Sequence, residues 1–197
     1  MPVTISPLRL ENLAQYFTRK REPNQSTDFA FSRFLVPYLS DYKGWSLFMD
    51  CDMLVRADIS ELWKLRDESK AVMVAKHDYV PKSTKKFLGA VQEPYPKKNW
   101  SSVMMFNNRL CSKLTPNLVN TAHGSELHQF KWLESEELIG SIPLEWNWLV
   151  DEYPYNPGAK NVHYTLGGPW FEEYKNVDYA DEWFKALSEL NSQEKRD

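Results

Sequence analysis

Trp45-Ser46-Leu47-Phe48-Met49 has strand character and runs without a helical period into Asp50-Cys51-Asp52, after which Met53-Leu54-Val55 turns apolar again. A buried strand with two carboxylates at its end, spaced i and i+2, is built to hold a cation. Successive strand residues point to opposite faces and alternate ones share a face. A sharp bend or loop after Met49 is therefore needed to turn both carboxylates onto one ion.

Further segments have the same form. Ala71-Val72-Met73-Val74-Ala75 is a continuous apolar run of strand length that ends at Lys76-His77-Asp78. Such a run suits a strand buried on both faces. Asn99 to Asn107 reads as a third buried strand, Ile139 to Leu144 as a short one, and Asn161-Val162-His163-Tyr164-Thr165 as the last. At the start of the chain, the alternating, proline-bounded stretch Pro2 to Leu8 also reads as a strand.

Helices are expected between the strands: Leu10 to Phe17; the run after the Ser26-Thr27-Asp28 cap, which Pro37 bends or ends; a short helix capped by Asp58 with Glu61 completing a capping box; Leu114 to Asn120 with Thr115 as cap and Pro116 at its first position; Gly124 to Leu138; and an amphipathic tail from Tyr179 to Leu190. Residues 79 to 98 read as a long loop. Alternating strands and helices, with polar residues at the strands' C-terminal ends, make an open α/β sheet whose ligand sits beyond those ends.

Composition narrows the function classes. At 197 residues, with 42% hydrophobic and 14% aromatic residues, the chain makes one folded domain. A net charge of −3 argues against a nucleic-acid surface, although Arg19-Lys20-Arg21, Lys85-Lys86 and Lys97-Lys98 could meet a small anion or simply be solvated. Cys51 and Cys111 fit neither a zinc spacing nor a disulfide framework, which suits a reducing compartment. No apolar run reaches the roughly 18 residues that span a bilayer. No leader is read at the N-terminus, so the expectation is a soluble, cytoplasmic protein.

Asp50 and Asp52 with His163, arriving from a distant strand, would offer two carboxylates and an imidazole, a set that suits Mn²⁺ or Mg²⁺ with positions left for diphosphate oxygens. Arg33 among Phe31, Phe34 and Leu35 either snorkels to solvent or reaches an anion. Gly167 and Gly168 serve either a phosphate or a tight turn before Trp170. His77 and Asp78 are either an acid/base pair or a capped strand end. Trp100, Trp146 and Trp148 are either sugar-stacking platforms or core. Nothing here matches a Ser-His-Asp, Cys-His or phosphate-loop pattern.

From about residue 26 to 171 these motifs, in order, resemble the retaining glycosyltransferases of the GT-A fold, family eight, which includes glycogenin and the lipopolysaccharide galactosyltransferases. The likeness rests on Phe31-Ser32-Arg33-Phe34, Asp50-Cys51-Asp52, Asn99 to Asn107, the Pro143 to Asn147 turn, and His163 ahead of Gly-Pro-Trp. It implies a GT-A (Rossmann-like) open mixed sheet flanked by helices, over residues 1 to 175, with a C-terminal helix and charged tail from 176 to 197. It further implies a hexosyltransferase-like enzyme that transfers a sugar from a nucleotide diphosphate sugar, uridine-linked, to a carbohydrate hydroxyl with retention.

By the same resemblance Asp50, Asp52 and His163 hold Mn²⁺ or Mg²⁺, Arg33 meets the diphosphate, and Asp78, Asn99 and Ser101 line the donor sugar. His128-Gln129 stands near the spacing of the family's acidic-glutamine pair. Gly168 occupies the place of the family's lysine, and the stretch from the histidine is one residue shorter. The family's first strand and helix, which hold much of the nucleoside, have no counterpart ahead of Pro2. That difference leaves a second expectation beside the enzyme: a degenerate GT-A domain that binds a glycan or partner. A third is a metal-dependent phosphohydrolase.

Overall fold

β1 (Trp45–Met49) lies antiparallel to β4 (Val103–Asn107), with Trp45 opposite Asn107 and Met49 opposite Val103. β4 also pairs antiparallel with β3 (Val72–Ala75), which pairs parallel with β5 (Ile139–Ile142), giving a mixed sheet in the order β1-β4-β3-β5. A smaller sheet carries β2 (Met53–Val55) antiparallel to β7 (Asn161–His163), and β7 parallel to β6 (Trp148–Leu149). This is a computed structural model, and it describes residues 3–21, 27–82 and 95–194.

Both faces of the larger sheet are covered, which is why β3 and the Val103 to Phe106 part of β4 are apolar without interruption. Val72, Val74, Met104 and Phe106 face a core with Phe34, Leu35, Leu114 and Leu127. Met73, Ala75, Val103 and Met105 face the opposite way, against Leu62, Ile142 and Trp146. The split follows the strand period of two. A third cluster, Val150, Ala159, Val162, Tyr164 and Tyr179, underlies the smaller sheet.

Among the described residues, helices are short until near the end of the chain. A 3-10 turn at Ser32–Leu35 leads into α1 (Val36–Leu39); Asp58 caps α2 (Ile59–Trp63) by accepting from the Ser60 N–H at 2.8 Å; Thr115 caps α3 (Pro116–Thr121). α4 (Gly124–His128) follows, and α5 (Ala180–Glu194) starts on the third cluster, to which Tyr179 belongs and against which Trp183 packs.

Several expected elements are corrected. Residues 3–8 form no strand and are almost all exposed, because no neighbouring strand pairs with them; Pro2 lies outside the described residues. Leu10 to Phe17 holds only a 3-10 turn, Leu10–Leu13. Pro37 neither bends nor ends its helix but sits in the first turn of α1, where its missing N–H costs nothing. Glu61 pairs with Lys160 Nζ at 2.6 Å instead of returning to Asp58. The helix from Gly124 stops at His128, and the strand from Asn99 begins as a 3-10 turn, Trp100–Ser102, because Asn99 is left-handed (φ 61°, ψ 5°). Ser26, Lys85, Lys86 and most of the loop from 79 to 98 lie outside the described residues.

Candidate active site

The loop Asp50-Cys51-Asp52 joins the larger sheet to the smaller one, and each carboxylate is pinned from a different side. Asp50 extends the β1–β4 ladder, its N–H donating to the Ser102 carbonyl at 2.9 Å. Asp52 belongs to the other sheet: its carbonyl accepts from the Tyr164 N–H at 2.9 Å, and the next residue, Met53, pairs with His163. The change of sheet supplies the bend that an i, i+2 pair needs, and it leaves Cys51 exposed between the two. Oxygens of Asp50 and Asp52 and a nitrogen of His163 lie within 4.8 Å of one another, and His163 Nε2 is 3.3 Å from Asp52 Oδ1.

An inner layer holds these groups. Arg33 donates through Nε to the Ala30 carbonyl (2.8 Å) and through Nη1 to the Ser101 carbonyl (2.8 Å) and Asp50 Oδ2 (3.0 Å), while Nη2 lies 2.7 Å from Asp50 Oδ1. The arginine is buried, so of the two readings open in the sequence it reaches an anion, and that anion is Asp50. Burial pushes the Asp50 carboxyl up, and the guanidinium opposes that rise. Burial also acts to raise Asp52, but the charge and hydrogen bond of His163 outweigh it and hold this carboxyl below the usual range. Asn147, wholly buried, meets His163 Nδ1 with its side-chain oxygen at 3.1 Å.

Two hard carboxylates and an imidazole with Nε2 on their side fit a divalent cation that prefers oxygen, with bonds of about 2.0–2.6 Å drawing the three together. Beyond them a cleft of about 240 Å³ is lined by, among others, Arg33, Asn99, Ser101, Ser102, His128, Thr165, Trp170 and Phe171. Ser101 Oγ is 2.7 Å from His128 Nδ1. His128 packs against the rings of Phe31 and Phe34, and burial first, then Arg33 and Arg19, pull its pKa down to about 3.

Of the residues expected from the sequence, Arg33, Asp50, Asp52, Asn99, Ser101 and His163 line this cleft, whereas Asp78, Gln129, Gly167 and Gly168 do not. Asp78 is exposed just past His77, whose own Nδ1 engages the Tyr153 hydroxyl at 2.8 Å. Gln129 contributes its backbone carbonyl to Lys97 Nζ. A side chain at Gly167 (φ 152°) would meet the Tyr174 ring at 2.5 Å, and one at Gly168 the Trp170 ring at 2.1 Å, so close aromatic packing accounts for both glycines. Trp146 is core, and Trp100 and Trp148 point their indole N–H groups at the His77 and Pro154 carbonyls; the aromatic side chains that line the cleft include Phe29, Tyr95, Tyr164, Trp170 and Phe171. Asn147 and Ser102 had no assigned role in the sequence reading, and the signal for Asn147 was an amide between two tryptophans.

No family model matches the sequence. Protein CDI of Arabidopsis thaliana is 47% identical over 206 aligned positions, which take in 100% of this chain and 79% of that protein. The chain belongs to the Protein CDI family. Among solved structures, this member of the family resembles WbbM, a bifunctional glycosyltransferase (TM-score 0.57, 17% identity, 83% of this chain and 36% of that one). It also resembles the glycosyltransferase GlyE of Streptococcus pneumoniae TIGR4 (0.53, 16%, 89% and 49%) and the galactosyltransferase LgtC (0.52, 12%, 89% and 70%). The chain thus spans about half of GlyE and little more than a third of WbbM. At these identities the likeness is one of fold, and that fold is GT-A: a mixed sheet flanked by helices, as in glycosyltransferases.

Proposed function

We propose that this chain is a metal-dependent glycosyltransferase that moves a sugar from a nucleotide diphosphate sugar, uridine-linked, to a carbohydrate hydroxyl with retention of configuration. The observation that carries the reading is the convergence of Asp50, Asp52 and His163 where two sheets meet, on a glycosyltransferase fold and beside an open cleft. Those three residues hold Mn²⁺ or Mg²⁺. Bound there, the ion supplies Lewis-acid stabilisation where charge develops on the departing diphosphate.

The protein's own groups do the remainder. Arg33 opposes the burial that pushes the Asp50 carboxyl up and orients it from behind, and in this geometry it acts on the diphosphate through Asp50. Asn99 and Ser101, on the cleft wall, offer hydrogen bonds to the donor sugar. Trp170, 42% exposed, and Phe171 present aromatic surface to the acceptor ring. Among the described residues no helix is long and apolar enough to cross a membrane. Two free cysteines fit a cytoplasmic setting.

Incubating the chain with Mn²⁺ and a panel of nucleotide sugars, with release of nucleotide diphosphate as the readout, tests this. One uridine diphosphate sugar is expected to turn over only with metal present. Asp52→Asn should lower that rate by more than about 100-fold, beyond the loss typical of residues that only support ligands, with unfolding free energy within about 1 kcal/mol of wild type. Full activity of the variant overturns the proposal.

A further inference from the structure

We infer that Asn147 is a positioning residue that sets the tautomer of His163 and so determines which imidazole nitrogen faces Asp52. The argument starts from a backbone carbonyl. Asn99 is left-handed (φ 61°), and its carbonyl oxygen accepts from the Ser102 hydroxyl at 2.6 Å and from Asn147 Nδ2 at 3.1 Å. A carbonyl cannot donate, so it is the NH₂ end of the Asn147 amide that faces it. The Ser102 hydroxyl spends its proton on the same carbonyl and therefore accepts from Asn147 Nδ2 at 2.8 Å.

With Nδ2 committed to those two oxygens, Asn147 Oδ1 is the atom that meets His163 Nδ1 at 3.1 Å. An amide oxygen only accepts, so Nδ1 carries a proton, and in the neutral imidazole Nε2 is the nitrogen that presents its lone pair on the Asp52 side; the imidazolium, with Nε2–H on Asp52 Oδ1 at 3.3 Å, keeps the same Asn147 bond. Asn147, Ser102 and His163 are all buried, and solvent does not scramble the chain of donors. The alternative tautomer would place an Nε2–H against Asp52 Oδ1 at 3.3 Å, a local attraction that the Asn147 bond must overcome.

This inference deepens the proposed reading, in which Nε2 is a ligand atom. A ligating imidazole needs its other N–H held by an acceptor, and such partners affect metal affinity by about 10–100-fold. The same chain ties the ligand to the Asn99–Ser102 turn on the cleft wall, so the imidazole and the sugar-facing wall are set by one amide.

Long-range ¹H–¹⁵N NMR of the imidazoles, in metal-free protein at about pH 8, reads directly which ring nitrogens carry protons. His163→Gln assigns the signal among the four histidines. Wild type is expected in the Nδ1–H form, and finding the Nε2–H form overturns the inference. Asn147→Leu should shift His163 toward Nε2–H and weaken Mn²⁺ binding by about 10–100-fold. Asn147→Asp keeps an acceptor and should retain the Nδ1–H form and most of the affinity, even where the leucine variant does not fold. An unshifted tautomer in folded Asn147→Leu, or a lost one in Asn147→Asp, contradicts the inference. If wild type shows the Nδ1–H form yet binds no Mn²⁺, the metal reading fails and the role of Asn147 in setting the tautomer stands.

Discussion

A buried guanidinium and a buried carboxylate are tolerated only together, and Arg33 with Asp50 is such a pair, the side chains 9% and 15% exposed. Desolvation of both charges is offset by two short contacts and by the Ala30 and Ser101 carbonyls, each of which takes one further N–H of the guanidinium. Replacing Arg33 by Met strands the carboxylate and should cost about 3–5 kcal/mol in urea unfolding. Adding Asp50→Asn to that variant should recover part of the loss. An equal loss in the single and double variants would mean that the arginine acts through the carbonyls alone.

The residue scale also shows what sequence could reveal of the site. Asp50 and Asp52 stood out because a strand that ends in carboxylates is a local pattern, whereas His163, on a distant strand, stood out by its place ahead of Gly167-Gly168-Pro169-Trp170. Arg33's direction was not, because one apolar helical stretch allows both solvent and interior exits for a long side chain. Asn147 was hidden for another reason: its partners, Asn99, Ser102 and His163, are distant from it in sequence and are brought to it where the end of the larger sheet that carries β4 meets the smaller sheet that carries β7.

At the scale of elements, β3 and the Val103 to Phe106 part of β4 were readable from unbroken apolar runs, since a sheet covered on both faces selects for them, while β1 and β5 were readable from strand-length segments interrupted only by Ser46 and by Gly140-Ser141. The end of α4 was not readable. Its stop is a left-handed Phe130 (φ 59°), with the Phe130 N–H on the Leu127 carbonyl and the Lys131 N–H on the Glu126 carbonyl. That is a Schellman closure, usually marked by glycine. Here burial of Phe130 and Trp132 in the core accompanies the strain, and no punctuation appears in the sequence.

Element ends also set an acid sensitivity. His77 follows β3 and His128 closes α4; burial first, then the charge of His163 for His77 and of Arg33 and Arg19 for His128, pulls each pKa down to about 3. Unfolding returns each imidazole to about 6.5, so between those values the unfolded chain binds protons that the folded one excludes. The stabilisation is complete above about pH 6.5 and is lost as pH falls toward 3, at up to about 1.4 kcal/mol per pH unit for each histidine. Urea unfolding across this window should show that decline. His77→Gln, which can keep the bond to Tyr153, should reduce the slope; an unchanged slope would mean that His77 stays accessible to protons.

The whole molecule is two sheets that share one loop, and the candidate ligands come from both. β1 and β4 deliver Asp50, Ser101 and Ser102; β2 and β7 deliver Asp52 and His163; α5 lies on the smaller sheet, with Arg56 bridging β2's end to Glu182 at 2.7 Å. Docking of the sheets is therefore what brings these residues together. Isothermal calorimetry of the wild-type chain with a uridine diphosphate sugar, with Mn²⁺ and then with the metal chelated, tests the account most directly. Saturable heat that requires both metal and nucleotide sugar is the predicted result. No heat with both present would contradict it.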